Sequence, residues 1–534
     1  MSPLAPIGLD EARRRLRELG YLDGRVERFV FRRALEGRGG LLLPAVVIGA
    51  FAAALAALAA VDVAEPGFAS SPAAASALLA HVFLADLVPV ALLAGLAAVW
   101  ADRAKASAGA ATAFGLGSAG LVFLLWIGGV WGLTREIPPA ALLWGAPVAV
   151  AAMFLARSAR TGFLARAYAH SHLLPARPRS RVFFAAAVAG ILAAVAIFAL
   201  RRPPEPVAAP RPAHRERPVV IVAVDGLALD SQPAESLTGL RALLGRGRTA
   251  WWPARAGSPP EIWTDLATGV PASRHGVRAL ERVRPRGSPL TLRPPLGTAW
   301  YLRGVGPRLK LVTTAPVSSR DRRALAFWEV AASAGLPTLA VGWWASGPWP
   351  GSVVVSNEEI LSRASDGFVA NRDAIAAFLR ERAQGQSVQT VYLPGLDILR
   401  NDPARRAAAA DEVHRFLEDE VSRAVAGASA LVVLAVDSHP RPQALGRMVT
   451  FDGFAPWSIV RARPEDVAPS ILARAGIPVA EDLPGRPVTS LFAADRLETT
   501  SVPTYGGRMV SVATGTKVTD REYLERLKSL GYLN

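Results

Sequence analysis

The sequence predicts a two-part chain: a multi-pass α-helical membrane region of five helices, then an α/β domain whose mostly parallel sheet carries helices on both faces. Three observations predict it. Five apolar stretches precede residue 201, each close to the 20 or so residues that span roughly 30 Å of hydrocarbon. After a Pro-rich break, apolar runs alternate with helical patterns, as strands do with crossover helices. One of these runs, Val219–Val224, is continuous and ends in Asp225-Gly226. A buried parallel strand reads this way when it delivers a carboxylate to the C-terminal edge of a sheet, where ligands sit in open α/β folds.

Residues 1–38 are polar and Arg-rich, and Asp10 caps a predicted short helix that stops at Gly20. No signal-peptide cleavage site is evident. The five apolar segments are Gly40–Val61, Ser76–Trp100, Ala108–Trp131, Pro138–Ala156 and Val182–Leu200. Cations crowd the N-terminus, the second–third loop (Arg103, Lys105) and the fourth–fifth loop (Arg157 to Arg181), whereas the alternate loops hold only Arg135. The positive-inside rule therefore puts the N-terminus in the cytoplasm, and five crossings put the chain from Arg201 onward outside. This is the pattern of a bacterial-type inner-membrane protein with a periplasmic domain. His81 and Asp86 lie inside the second segment. Intramembrane ionisable residues suggest a transport or scaffold role, against the plainer reading that Asp86 faces other helices.

Residues 201–217 form a Pro-rich, semi-rigid spacer. Beyond it, strands are expected at Val219–Val224, Thr338–Gly342, Val388–Leu393 and Ala430–Val436. Helices are expected near Ala234–Leu244, Trp263–Thr268, Arg322–Ala334, Asn371–Ala383, Pro403–Ala424 and Pro464–Ala475. The domain is read as 218–492, with 493–534 as a tail carrying a short amphipathic helix. Its phrase RLKSLGYLN (Arg526–Asn534) repeats RLRELGYLD (Arg15–Asp23). On the topology above the two copies lie on opposite sides of the membrane and do not pair within one chain.

The net charge is +16, carried mostly by Arg, with no basic stripe interleaved with aromatics, so nucleic acid is not an expected partner. The chain has no cysteine, which excludes disulfides and thiolate-held metals. Asp225, Asp397 and Asp437 each follow a predicted strand. Singly, such an Asp is most often a turn or cap residue. Three at one sheet edge make a plausible metal nest.

RPVVIVAVDGLALD, SPPEIWTDLATGVPASRHGV (258–277), the Gly-Trp-Trp block around Trp343 and Trp344, VYLPGLD (391–397) and EDVAPSILARAGIPVAEDLPGRPV (465–488) occur in this order. Together they resemble the alkaline phosphatase superfamily, in particular its type I phosphodiesterase/nucleotide pyrophosphatase branch. The resemblance implies phosphoryl transfer by two metal ions, usually zinc, roughly 4 Å apart. It places metal ligands at Asp225, Asp397 and Asp437. The nucleophile position falls on Pro259, with Ser258 one step early. Where His ligands are expected, this chain has Asn401, Ser438 and Val449, with His439 displaced by one. None of the three substitutes replaces a neutral imidazole on zinc. His275 reads as a structural turn residue.

The expected protein is therefore a membrane-anchored relative with weakened or lost two-metal catalysis and a binding or regulatory role. The alternative is an active metal-dependent hydrolase or transferase of phosphodiesters or phospholipid head groups at the outer leaflet. The candidate residues are Ser258 for catalysis, Asp225, Asp397, Asp437 and His439 for metal, and Asn401, Trp343 and Trp344 for substrate. The cofactor would be zinc by resemblance, Mg²⁺ or Ca²⁺ if only carboxylates bind, or none. Expected partners are the lipid bilayer, a phosphoester or lipid head-group ligand, and an unidentified protein.

Overall fold

The computed structural model describes residues 43–64, 72–103, 108–134, 140–171, 217–229, 237–288, 300–382, 385–439, 444–452, 458–492, 500–507 and 520–533, with a few single residues besides. The expected fifth segment Val182–Leu200, the 201–216 spacer and nearly all of residues 1–38 lie outside the described residues. The chain forms two compact units. One is Met1–Pro203 with Val283–Thr314, and the other is Pro204–Arg282 with Ala315–Asn534.

The first unit holds helices α1 (Leu43–Ala64), α2 (Pro72–Arg103), α3 (Ala108–Thr134) and α4 (Ala140–Ser171). All four are long and apolar enough to cross a membrane, as the first four expected segments require. α4 runs 15 residues past the expected end at Ala156, because nothing in ARSARTGFLARAYAHS breaks a helix once the hydrocarbon stretch is over. Buried Asp62 near the end of α1 accepts from Trp144 Nε1 at 2.9 Å and from the Ala69 N–H at 2.9 Å. Asp86 is buried in α2.

Val283–Thr314 was expected to belong to the α/β domain. Instead its Val283, Tyr301, Leu302 and Val312 share one apolar cluster with Leu58, Leu78, Val82, Trp126 and Trp144 of the helices. His81 of α2 bonds the Leu311 carbonyl through Nε2 at 3.0 Å. Strands β3 (Glu281–Pro285) and β4 (Val312–Pro316) form the two-stranded stem of this segment.

The second unit is built on an eight-stranded sheet. Its strands are β1 (Val219–Asp225), β2 (Arg248–Pro253), β5 (Thr338–Val341), β6 (Ser352–Val355), β7 (Val388–Leu393), β8 (Ala430–Val436), β9 (Leu445–Phe451) and β10 (Ile459–Arg461), in spatial order β10-β2-β9-β8-β1-β7-β5-β6. Only β9 runs antiparallel to its neighbours. The helices are α5 (Thr238–Leu244), α6 (Pro259–Thr268), α7 (Phe327–Ser333), α8 (Asn357–Arg363), α9 (Gly367–Glu381), α10 (Gly395–Ile398), α11 (Pro403–Val425), α12 (Val467–Arg474) and α13 (Asp520–Ser529). The central strands β1, β7 and β8 are buried at every position. Alternate residues feed two apolar cores, one on each face: Val219, Ile221 and Ala223 into one, Val220, Val222 and Val224 into the other. This is the two-sided burial that continuous apolar strands demand. All four expected strands and six expected helices are present. β2, β6, β9 and β10 were not anticipated.

Candidate carboxylate site at the sheet edge

Strands β7, β1 and β8 are adjacent and parallel, so their C-terminal ends converge. β1 ends in Asp225, paired in register with Val436 just before Asp437. β7 leads through Pro394 into α10, which carries Asp397, and Asn371 of α9 fixes this turn by accepting the Gly395 N–H at 2.7 Å. Gly226 makes the approach of the two loops possible. Its φ is +79°, and a Cβ there would lie 2.4 Å from the Asp397 nitrogen, so no other residue fits.

Asp225 is fully buried and its carboxylate is saturated. Oδ1 accepts from the N–H groups of Gly226 (2.8 Å) and Ser438 (3.1 Å). Oδ2 accepts from Trp263 Nε1 (2.8 Å), the Tyr392 hydroxyl (2.8 Å) and the Ser438 hydroxyl (2.9 Å). Burial, and then the charge of Asp397, push Asp225 up to about 7, against the pull of the Tyr392, Trp263 and Ser438 donors. Asp397 is also fully buried. Its Oδ1 bonds His439 Nδ1 at 2.8 Å, while Oδ2 has no hydrogen-bond partner and lies 3.9 Å from Arg400. The Asp397 bond raises the His439 pKa. Asp437 turns back to accept the His439 N–H at 2.9 Å, and burial raises its pKa.

The remaining expected site residues fall elsewhere or in other roles. Ser258 is the N-cap of α6: its Oγ accepts the Glu261 N–H and donates to the Arg278 carbonyl at 2.8 Å. Asn401 is exposed in the turn after α10. Trp343 is core, donating to Thr390 Oγ1 at 2.9 Å and packed on Trp263, Phe327 and Trp328. Trp344 reaches the site through one bond, Nε1 to the Tyr392 hydroxyl at 2.9 Å. Val449 is buried in β9. His275 is buried, accepting the Val277 N–H at Nδ1 and donating from Nε2 to Asp265 at 2.7 Å. Desolvation lowers its pKa.

These residues do not fit two zinc ions. Each Asp225 lone pair faces a protein donor, and two of the three expected imidazole positions hold a serine that donates to Asp225 and a core valine. Among the described residues, no three His, Asp or Glu side chains converge as a metal site. Tyr392 was not anticipated as a site residue, Ser438 was read only as a substitute at an expected His position, and Trp263 only as part of a motif.

No protein-family model matches the chain, and no curated protein is significantly similar to it. Solved structures align with part of the chain. A Pyrococcus horikoshii protein aligns at 11% identity with a TM-score of 0.30, over 48% of this chain and 96% of its own. A phosphonate monoester hydrolase from Silicibacter pomeroyi aligns at 13% identity with a TM-score of 0.33, over 52% of this chain and 77% of its own.

Proposed function

We propose that this chain is a membrane-anchored, extracytoplasmic member of the alkaline phosphatase superfamily, of the type I phosphodiesterase/nucleotide pyrophosphatase branch, that has exchanged two-metal catalysis for a binding or regulatory role. The family reading rests on the ordered sequence blocks. The loss of catalysis rests on one observation: five donors occupy both oxygens of Asp225, the carboxylate that would have to hold a metal. The site is a self-satisfied hydrogen-bond network. Such a network is a rigid part of a core rather than an open coordination sphere.

Parity of the crossings supports the membrane arrangement. The His81–Leu311 bond is consistent with residues 283–314 lying toward the face of the bilayer where the α1–α2 loop lies. α4 ends on the opposite face. A chain that must return to Arg217 has to cross once more, and Val182–Leu200 is the apolar stretch available for it. With the Arg-rich N-terminus cytoplasmic, the α/β unit is periplasmic.

The purified full-length chain in detergent, dialysed against micromolar Zn²⁺, Mn²⁺ or Mg²⁺, is expected to retain no stoichiometric metal and to cleave no phosphodiester. Metal-dependent hydrolysis that disappears in Asp225→Ala would overturn this reading. A second reading is supported by Asp397–His439, a buried carboxylate orienting a half-exposed imidazole as in acid–base dyads. Metal-independent hydrolysis lost in His439→Gln would favour it.

A further inference from the structure

The Gly-Tyr-Leu phrase at the C-terminus ends beside the carboxylates. α13 buries Tyr523, Leu524, Leu527 and Leu530 in the same core as Trp343, Trp344 and Tyr392, and the Tyr523 hydroxyl donates to Asn357 at 3.2 Å. The helix stops in a Schellman motif: the Tyr532 N–H reaches the Leu527 carbonyl at 2.9 Å, the Gly531 N–H reaches that of Lys528 at 2.9 Å, and Gly531 has φ +80°. This turn sets the Tyr532 ring edge-on to Trp344, with 5.6 Å between centroids. Arg400 ties the turn to the site, donating to the Gly531 carbonyl at 3.1 Å and to the Asp397 carbonyl at 3.1 Å.

The fit is incomplete in one place. The Tyr532 hydroxyl is sealed from solvent with no hydrogen-bond partner, and Asp397 Oδ2 has only the long ion pair to Arg400 at 3.9 Å. Tyr532 lies close enough to Asp397 and Asp225 for their charges, after desolvation, to hold its pKa well above the ordinary value. A segment that served only to fill the core would leave neither group unmet, since a buried polar atom without a partner is unfavourable. Apolar anchors thus hold a helix whose last residues enter a polar space, bonded to it through Arg400 and the Gly531 carbonyl while the Tyr532 hydroxyl goes unmet. Two clefts of the α/β unit, one around Trp252 and Arg461 and one around Phe327 and Tyr505, are lined by other residues.

We propose that residues 520–533 are an internal peptide ligand. They occupy a groove formed by Asn357, Trp344 and Arg400 and cap the Asp225–Asp397 site, so that a solute or partner reaches it only when the segment leaves. This rests on the reading of the chain as a binding or regulatory protein, with Asp397 and His439, rather than the saturated Asp225, as the groups a ligand would meet. The N-terminal copy of the phrase repeats Leu527, Leu530, Gly531 and Tyr532 as Leu16, Leu19, Gly20 and Tyr21. It has Ala12 and Arg13 in place of the anchors Tyr523 and Leu524, so the groove is selective for the C-terminal copy.

The test is carboxylate footprinting of the full-length chain in detergent, with a carbodiimide and glycine ethyl ester, read by mass spectrometry. It needs neither metal nor turnover, so its failure is separate from failure of the pseudoenzyme reading. Asp397 is expected to be protected in the intact chain. It should label roughly tenfold faster in Tyr532→Ala and in a chain ending at Thr519, as a local opening makes it. A synthetic 520–534 peptide should restore protection to the shortened chain. Glu329, buried against Arg322, reports that the fold is intact. Unchanged Asp397 labelling in Tyr532→Ala while Glu329 stays protected, or no protection from the peptide in a folded shortened chain, overturns the proposal. If the shortened chain exposes Glu329, Tyr532→Ala alone decides.

Discussion

Ser438 holds Asp225 twice, through its N–H to Oδ1 at 3.1 Å and through its hydroxyl to Oδ2 at 2.9 Å. The resemblance places an imidazole ligand at position 438. An imidazole there would share a cation with Asp225, whereas a serine gives Asp225 protons. In this chain one side chain thus makes the carboxylate an acceptor for the core.

The exchange predicts the sign of a stability change. A carboxylate kept for a metal destabilises the metal-free fold, and removing it relieves a buried charge. A carboxylate that satisfies Trp263, Tyr392 and Ser438 leaves three side-chain donors unmet when it goes, each at about 1–3 kcal/mol. Asp225→Ala is therefore expected to lower the melting temperature, and Ser438→Ala to cost about 1 kcal/mol. Thermal and urea unfolding of the full-length chain in detergent measure both. A melting temperature raised by Asp225→Ala would count against the network.

The same site carries a pH signature. Asp225 rises from the ordinary 3.8 to about 7 on folding, so between these values the folded state binds more protons than the unfolded. Stability therefore falls as pH climbs from about 4 to about 7, with an upper bound of about 4 kcal/mol. His439 is raised as well. Its contribution is full below the unfolded pKa of 6.5 and is lost above it, through the folded value. Half-exposed, it contributes the smaller part. Unfolding free energy measured from pH 4 to pH 8 should decline across both windows. Asp225→Asn should flatten the lower window, and His439→Gln the upper.

How much of this was legible follows from where each signal resides. β1, β7 and β8 are uninterrupted apolar runs that end at or near an Asp, so the strands and the three carboxylates could be read locally. The donors could not. Tyr392 pairs with Ala223 across β7 and β1, which puts its ring diagonal to Asp225 on the same face, and only the register reveals that. β2 (RTAWWP) and β9 (LGRMVTF) mix polar and apolar positions because each borrows its burial from the other. The docking of residues 283–314 among helices is tertiary, and no local pattern announces it. Ser258 was attractive for its place ahead of the Trp-Thr block, but that place is also a helix N-cap, which is the role it takes.

Another buried carboxylate, Asp452, follows β9. In the structure Asp452 is buried and grips Arg474 of α12 with two bonds, 2.7 and 2.8 Å. Removing one member of a buried pair strands the other charge at about 3–5 kcal/mol. Arg474→Met is therefore expected to be among the most destabilising single changes in the α/β unit, larger than Ser438→Ala by the same unfolding measurement.

The absence of cysteine makes the topology testable without background labelling. Single cysteines at Ala69 in the α1–α2 loop, at Leu311 beside His81, and at Ser2 divide the possibilities. If the α/β unit is periplasmic and a fifth crossing restores parity, an impermeant maleimide applied to spheroplasts labels positions 69 and 311, while position 2 reacts only after the membrane is opened. A chain with four crossings and no fifth would leave the α/β unit on the side of the N-terminus, so positions 2 and 311 could not then lie on opposite faces. Labelling of position 2 together with 311 in intact spheroplasts would therefore break the parity argument. The N-terminal RLRELGYLD would then lie in the same compartment as the groove that holds RLKSLGYLN, and only the missing anchors at Ala12 and Arg13 would keep it out.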